Sequence, residues 1–221
     1  MQYFELKLRI TQETDIDNLY HLLPNWINEI RESIALKYPL RFLYTSRAMN
    51  LIASTFDYTF DTGSTSRYSG FYDSIIYYNG TSYIPLSFAE LINFNILFPS
   101  TATGEPSSFT VKGNTFTVDK IPTSVTSKTF TAKYYMLPDK LVNEQDEAYI
   151  DKKYYEAIIN LVCLKAMSHV KDYSQDFMNS RARAVEYLFD LYSQESIVPV
   201  SKERIVQELA LMANLTPREG V

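Results

Sequence analysis

Cysteine occurs once in the 221 residues, as Cys163, and histidine twice, as His21 and His169. A single thiol excludes an internal disulfide, and three Cys and His side chains are too few for a four-ligand zinc site built from them. Glycine is scarce too, at six residues. Gly63, Gly70, Gly80, Gly104 and Gly113 stand singly, as turn residues do, and none belongs to a loop that would cradle a phosphate. Positive charge is in the minority: 21 Lys and Arg against 26 Asp and Glu leave a formal charge of -5. A charge-driven grip on DNA or anionic lipid needs clustered Lys and Arg, so the balance argues against both. No apolar run approaches the roughly 20 residues of a membrane-spanning helix. Charged and apolar residues alternate from Met1 to Ile10, no signal peptide is visible there, and synthesis in a cytoplasm with no membrane partner is the expectation.

Aromatic residues are abundant instead, with 18 Tyr and 13 Phe against one Trp. Large rigid side chains enrich cores and also interfaces, where they bury area at low entropic cost. Their setting changes along the chain. Between Ser54 and Thr131 lie 26 Ser or Thr, 10 charged residues and five of the six glycines, so charge density falls to about half that of the flanks. This stretch reads as a β-rich insertion. Phe71 to Tyr78, the turn signal Asn79-Gly80, and Thr81 to Leu86 predict one hairpin, with a type I′ turn in which both central residues take positive φ. Ser108 to Val111, a turn at Lys112-Gly113-Asn114, and Thr115 to Val118 predict a second, with apolar residues at period two. Phe130 to Leu137 is a further strand, and Ser87 with Glu90 predicts the start of a short helix.

The flanks read as helical. Asp15 caps Ile16 to Leu23, and Pro24 opens a helix whose inner face is Ile27, Ile30 and Ile34, stopped at Tyr38-Pro39. Asn143 caps a long helix to about Val170, apolar nearly all round from Ala157 to Leu164. Asp172 opens its antiparallel partner, which runs to about Gln194 with Phe177, Arg181, Ala184, Val185, Leu188, Leu191 and Tyr192 on one face. The expected fold is α+β: a helical bundle of N-terminal helices and one long antiparallel pair, with a β-rich insertion and a C-terminal extension. The boundaries fall at 1–53 for the N-terminal helical part, 54–138 for the insertion, 139–195 for the helix pair and 196–221 for the linker and amphipathic helix.

Candidate chemistry is thin. His21 and His169 are the only histidines able to serve as the base that a nucleophilic enzyme needs, and both sit in helical contexts that suit structural roles. Cys163 lies in the most apolar segment, where a thiol is inert. Asp57 with Asp61, and Glu144 with Asp146 and Glu147, are the carboxylate groups that a hydrolase would draw on. Both fit structural or solvated roles better. No metal, cofactor or catalytic residue is expected.

The order of elements carries a resemblance. Gly104-Glu105-Pro106-Ser107-Ser108-Phe109 leads into the second hairpin, Tyr134-Tyr135-Met136-Leu137-Pro138 ends the next strand, and Tyr154 and Tyr155 follow on a helix. From Ser54 to Tyr192 this pattern resembles the head-tail connector adaptor proteins of tailed bacteriophages. The resemblance implies a structural virion protein, assembled in the host cytoplasm and placed between head and tail. It further implies a ring, usually of twelve copies, that contacts the portal protein and a tail protein and lets double-stranded DNA pass through its centre. The Ser and Thr content of the insertion and the segment from Ser196 to Val221 depart from that pattern.

In that extension, Pro199 holds Ile197, Val198 and Val200 in extended chain, and Ser201 caps a helix with Ile205, Leu209 and Met212 on one side. These six are the expected contacts with the portal or an adjacent copy, docked as strand and helix by a tail mobile in the free protein. Lys37, Arg41 and Arg47 form a modest basic cluster suited to an acidic partner. The alternative from another class is a β-rich binding module on a helical scaffold, for example for glycans, with the tyrosines between Tyr68 and Tyr83 stacking on sugar faces.

Overall fold

A helix that is apolar nearly all round must be covered on nearly every side. In the computed structural model, which describes residues 2–14, 17–60, 67–98, 102–122, 124–146 and 152–212, this helix is Lys152–His169. From Tyr154 to Met167 only Glu156 and Lys165 escape full burial. Its cover comes from both ends of the chain: Tyr3–Thr14 (α1), Leu23–Lys37 (α2) and Gln175–Glu195 (α5) all pack on it, and it becomes α4 in chain order. Leu91–Leu97 (α3) and Lys202–Met212 (α6) complete the described helices.

The chain divides into two compact units, Met1–Phe42 with Pro138–Val221, and Leu43–Leu137. The first is therefore discontinuous, and named polar groups close it. Asn28 of α2 donates to the Leu141 carbonyl at 3.0 Å and accepts from the Leu141 N–H at 2.9 Å, while the buried Arg31 guanidinium donates to the Asp139 carbonyl at 2.7 Å. Arg9 of α1 meets Glu156 of α4 at 2.8 Å, and the hydroxyls of Tyr154 and Tyr192 reach the α2 carbonyls of Arg31 and Ile34. Pro24 sits in the first turn of α2, where its missing N–H costs nothing, and Ile27, Ile30 and Ile34 are buried as their spacing predicts.

In the second unit two four-stranded sheets share one core. Tyr44–Asn50 (β1), Thr129–Met136 (β8), Tyr68–Tyr78 (β3) and Tyr83–Pro85 (β4) form one, in the order β1-β8-β3-β4. Asp57–Thr59 (β2), Thr115–Val118 (β7), Ser108–Lys112 (β6) and Ser87–Phe88 (β5) form the other, in the order β2-β7-β6-β5. Aromatic rings fill the space between them. Phe60 stacks on Tyr68 at 4.2 Å, Tyr58 meets Phe130 edge-on at 4.8 Å, and Phe116 meets Phe130 at 5.7 Å.

The sequence reading expected a helical bundle built on one long antiparallel pair, and the structure overturns that architecture. The fold is α+β, with six described helices of 7 to 21 residues spread along the chain, one inside the β unit, and two sheets in place of a single insertion motif. Asn143 caps no long helix, because the Asp146 carboxylate accepts from the Val142 and Asn143 N–H groups at 2.7 and 2.8 Å and folds the segment into a turn. The carbonyls of Glu144 and Asp146 accept in turn from the first N–H groups of α1. Tyr44–Asn50, read as part of a helical flank, is a strand because it pairs with β8 along its full length. Ser87 lies in β5 and not at a helix cap, Asp172 sits two residues ahead of the actual cap Ser174, and Val185 is half-buried. The proposed cap at Asp15 lies outside the described residues.

Leu161, buried at the centre of α4, sets a direct test of the first unit. Leu161→Ala should lower its unfolding free energy by about 2 to 5 kcal/mol in denaturant titration. Burial also raises the Cys163 thiol from 9.0 to about 12 and the Tyr154 hydroxyl from 10.0 to about 12. The folded chain keeps these protons where the unfolded chain releases them, so their contribution is complete below about pH 9 and is lost as pH rises toward 12. A melting temperature falling across that alkaline window, with Cys163 unreactive to thiol reagents until unfolding, is the expected result.

Candidate interaction surfaces

Polar side chains in the β unit hold loops. The carboxylate of Asp119, buried at the end of β7, accepts from the Ser107 N–H at 2.9 Å, the Ser107 hydroxyl at 2.7 Å and the Ser108 N–H at 3.0 Å. It thereby fixes the Gly104 to Ser108 run at the start of β6. Asp57 accepts from the Thr117 hydroxyl, while Asp61, its proposed partner, lies outside the described residues, as does Glu147. Glu144 pairs with Lys7 at 3.4 Å and Asp146 holds the turn already described, so neither is organised as an acid or base. His169 packs edge-on to Trp26 at 5.5 Å. Among the described residues no cluster of three or more His, Cys, Asp or Glu could hold a metal ion.

The hairpin tyrosines differ in setting. Tyr77 is buried, Tyr68 and Tyr72 lean on core rings, and Tyr78 pairs with the exposed Tyr83 at 4.8 Å. Asn79 contributes by its side chain: its carbonyl oxygen accepts from the Thr81 and Ser82 N–H groups, and Gly80 alone takes positive φ, at 98°. The turn is thus centred on Gly80-Thr81, one residue later than a type I′ Asn-Gly turn.

The predicted partner contacts separate. Ile205 and Leu209 are buried, and α6 packs on α5 and α2 of its own chain. The Ser201 hydroxyl caps this helix at the Arg204 N–H, Lys202 meets Glu186 at 2.7 Å, and the Arg204 guanidinium lies over the Tyr38 ring at 5.2 Å. A tail held away from the body is therefore corrected for these two residues: their apolar side faces home. Met212 ends α6, and its side chain lies outside the described residues. Ile197 and Val198 remain 54% and 40% exposed, and Val200 is half-buried. Of the basic residues, Lys37 is half-buried in the last turn of α2 and Arg41 is exposed just beyond it, whereas Arg47 stands on β1 of the other unit with a partner of its own.

Sequence reasoning started the short helix at Ser87, whereas α3 begins at Leu91 after Glu90, and it gave the exposed side chains of that helix no role. Leu91-Ile92-Asn93-Phe94-Asn95-Ile96-Leu97 contains no charge, yet only Phe94 is buried. The uncharged run was the available signal. Beside it, Phe94 and Phe98 join Phe56, Asp57 and Thr117 around a shallow cleft of about 170 Å³.

In these surfaces the polar side chains secure loops and several apolar side chains face outward. A model of the SU10 adaptor protein family matches residues 1–200, and no curated protein matches the chain. The chain belongs to the SU10 adaptor protein family, and with it to the structural adaptor proteins of phage virions, which assemble with head and tail components.

The Asp119 clamp sets a test of this reading of its polar groups. Asp119→Ala leaves two backbone N–H groups without their buried acceptor and should destabilise the β unit by about 2 to 3 kcal/mol in denaturant unfolding. Asp57→Ala, which removes a single exposed contact, should cost far less.

Proposed function

We propose that this chain is a non-enzymatic head-tail adaptor whose copies, twelve by the family resemblance, form a ring between portal and tail through which double-stranded DNA passes. The family match over residues 1–200 carries the reading. The formal charge of -5 suits a conduit, since a channel should not bind what it conducts. Ile197, Val198 and Val200 are the proposed contacts with the portal or an adjacent copy, offered by the segment that leads into a helix already seated on its own body. Lys37, Arg41 and Arg47 are proposed to meet acidic surfaces of neighbours.

The test replaces both exposed residues, Ile197→Asp with Val198→Asp. Surface changes of this kind should shift stability by no more than about 0.5 kcal/mol. Supplied as the only copy during infection, the folded variant should leave filled heads without tails and cut infectivity. Infectivity equal to that of the parent would refute the contact assignment, and complete particles formed with no copy of the chain would refute the adaptor role.

A further inference from the structure

A sheet edge is a row of backbone donors and acceptors, and its length decides whether another strand can be held there. Three of the four edge strands are short: β4 and β2 have three residues each and β5 has two. β1 has seven, Tyr44–Asn50, and pairs with β8 without a register shift, so its outer edge is regular over roughly 20 Å. One bond tells which residues face outward. Continuing the register past Asn50 sets Leu51 opposite Lys128, and the Leu51 N–H donates to the Lys128 carbonyl at 3.5 Å. Antiparallel pairs alternate between bonded and non-bonded, so Thr45, Arg47 and Met49 bond to β8, whereas Ser46, Ala48 and Asn50 turn their N–H and C=O groups away from it. These three residues are exposed, and their outward groups have no partner among the described residues.

We propose that the outer edge of β1 holds an acidic extended segment of a different protein as an added strand of this sheet. Extended peptide offers acceptors and donors at the spacing this edge presents, so the backbone selects the form of the occupant. Arg47 selects against a second β1. Two such strands paired antiparallel over their whole length in this phase set Arg47 against Arg47 in a close non-bonded pair, where like charges repel. Charge then selects the sign of the partner. β1 and β8 together carry Arg47 and Lys133 and no carboxylate. Lys133 stands in register with Ser46, hence on the face opposite Arg47, and makes no ion pair among the described residues. Asp73 of β3 accepts instead from the Tyr44 hydroxyl at 2.9 Å. Neighbouring carboxylates on the added strand therefore meet one cation on each face. The inference rests on the adaptor reading for the presence of other proteins against this chain, and it gives the acidic contact proposed for Arg47 a definite form.

Proline removes an outward N–H without touching the ladder to β8. Ala48→Pro should keep a melting temperature close to that of the parent and, supplied as the only copy during infection, cut infectivity at least about tenfold. Ala48→Thr, which keeps that N–H, should leave infectivity unchanged. Lys133→Glu should lower infectivity while the chain stays folded. In the free chain, amide hydrogen exchange should be fast at Ser46 and Ala48 and slower at Arg47 and Met49. A folded Ala48→Pro variant as infectious as the parent would overturn the proposal, and Ser46→Pro reads the same edge if Ala48→Pro does not fold. Full infectivity of Lys133→Glu would overturn the acidic partner, and slow exchange at Ser46 and Ala48 in the free chain would overturn the open edge. Complete particles formed with no copy of the chain would overturn the adaptor reading and this one with it. Particles that require the chain yet tolerate the proline would overturn the added strand alone.

Discussion

The burial of α4 is the constraint on which the first unit depends. An apolar helix between Tyr154 and Met167 cannot be left with one side in water, and no single neighbour covers it. α1 and α2 come from the start of the chain and α5 follows α4 directly, so residues before and after the whole β unit must meet. The strongest apolar segment thereby recruits the most distant sequence, and Asn28 and Arg31 hold the returning backbone at Asp139 and Leu141. The second unit solves a similar problem with rings. Phe60, Phe116, Phe130 and Tyr134 give two small sheets a shared interior that short strands would not otherwise fill.

That economy accounts for the composition. Most of the aromatic excess is internal: Tyr58, Tyr77, Tyr134, Tyr154 and Tyr192 are buried, and burial raises the pKa of Tyr58, Tyr154 and Tyr192. Among the exposed aliphatic residues are Ile92 and Ile96 of α3 and Ile197 and Val198.

Local signals were legible wherever the deciding partner lies close in sequence. Pro24 and the Ile27, Ile30, Ile34 spacing gave α2, and Gly113, with φ of 61°, sits at the turn between β6 and β7. Signals failed where a distant or side-chain partner decides. Asp146 turns a helix-like stretch into the turn that caps α1, β8 makes a strand of Tyr44–Asn50, and β6 draws Ser87 into a sheet. The tail failed for the same reason. Apolar residues on two sides of a helix do not say whether cover comes from home or from another chain, and for Ile205 and Leu209 it comes from home. The short helix expected from Ser87 starts only at Leu91, and its exposure was not legible because a short uncharged run looks the same buried or exposed.

The central claim is that this chain assembles as a ring on the portal. Electron cryo-microscopy of the purified protein mixed with the portal protein of its phage tests that directly. The account predicts a closed ring of copies, coaxial with the portal and open at its centre. A portal left bare at saturating adaptor, or one bearing isolated copies that never close into a ring, would contradict it.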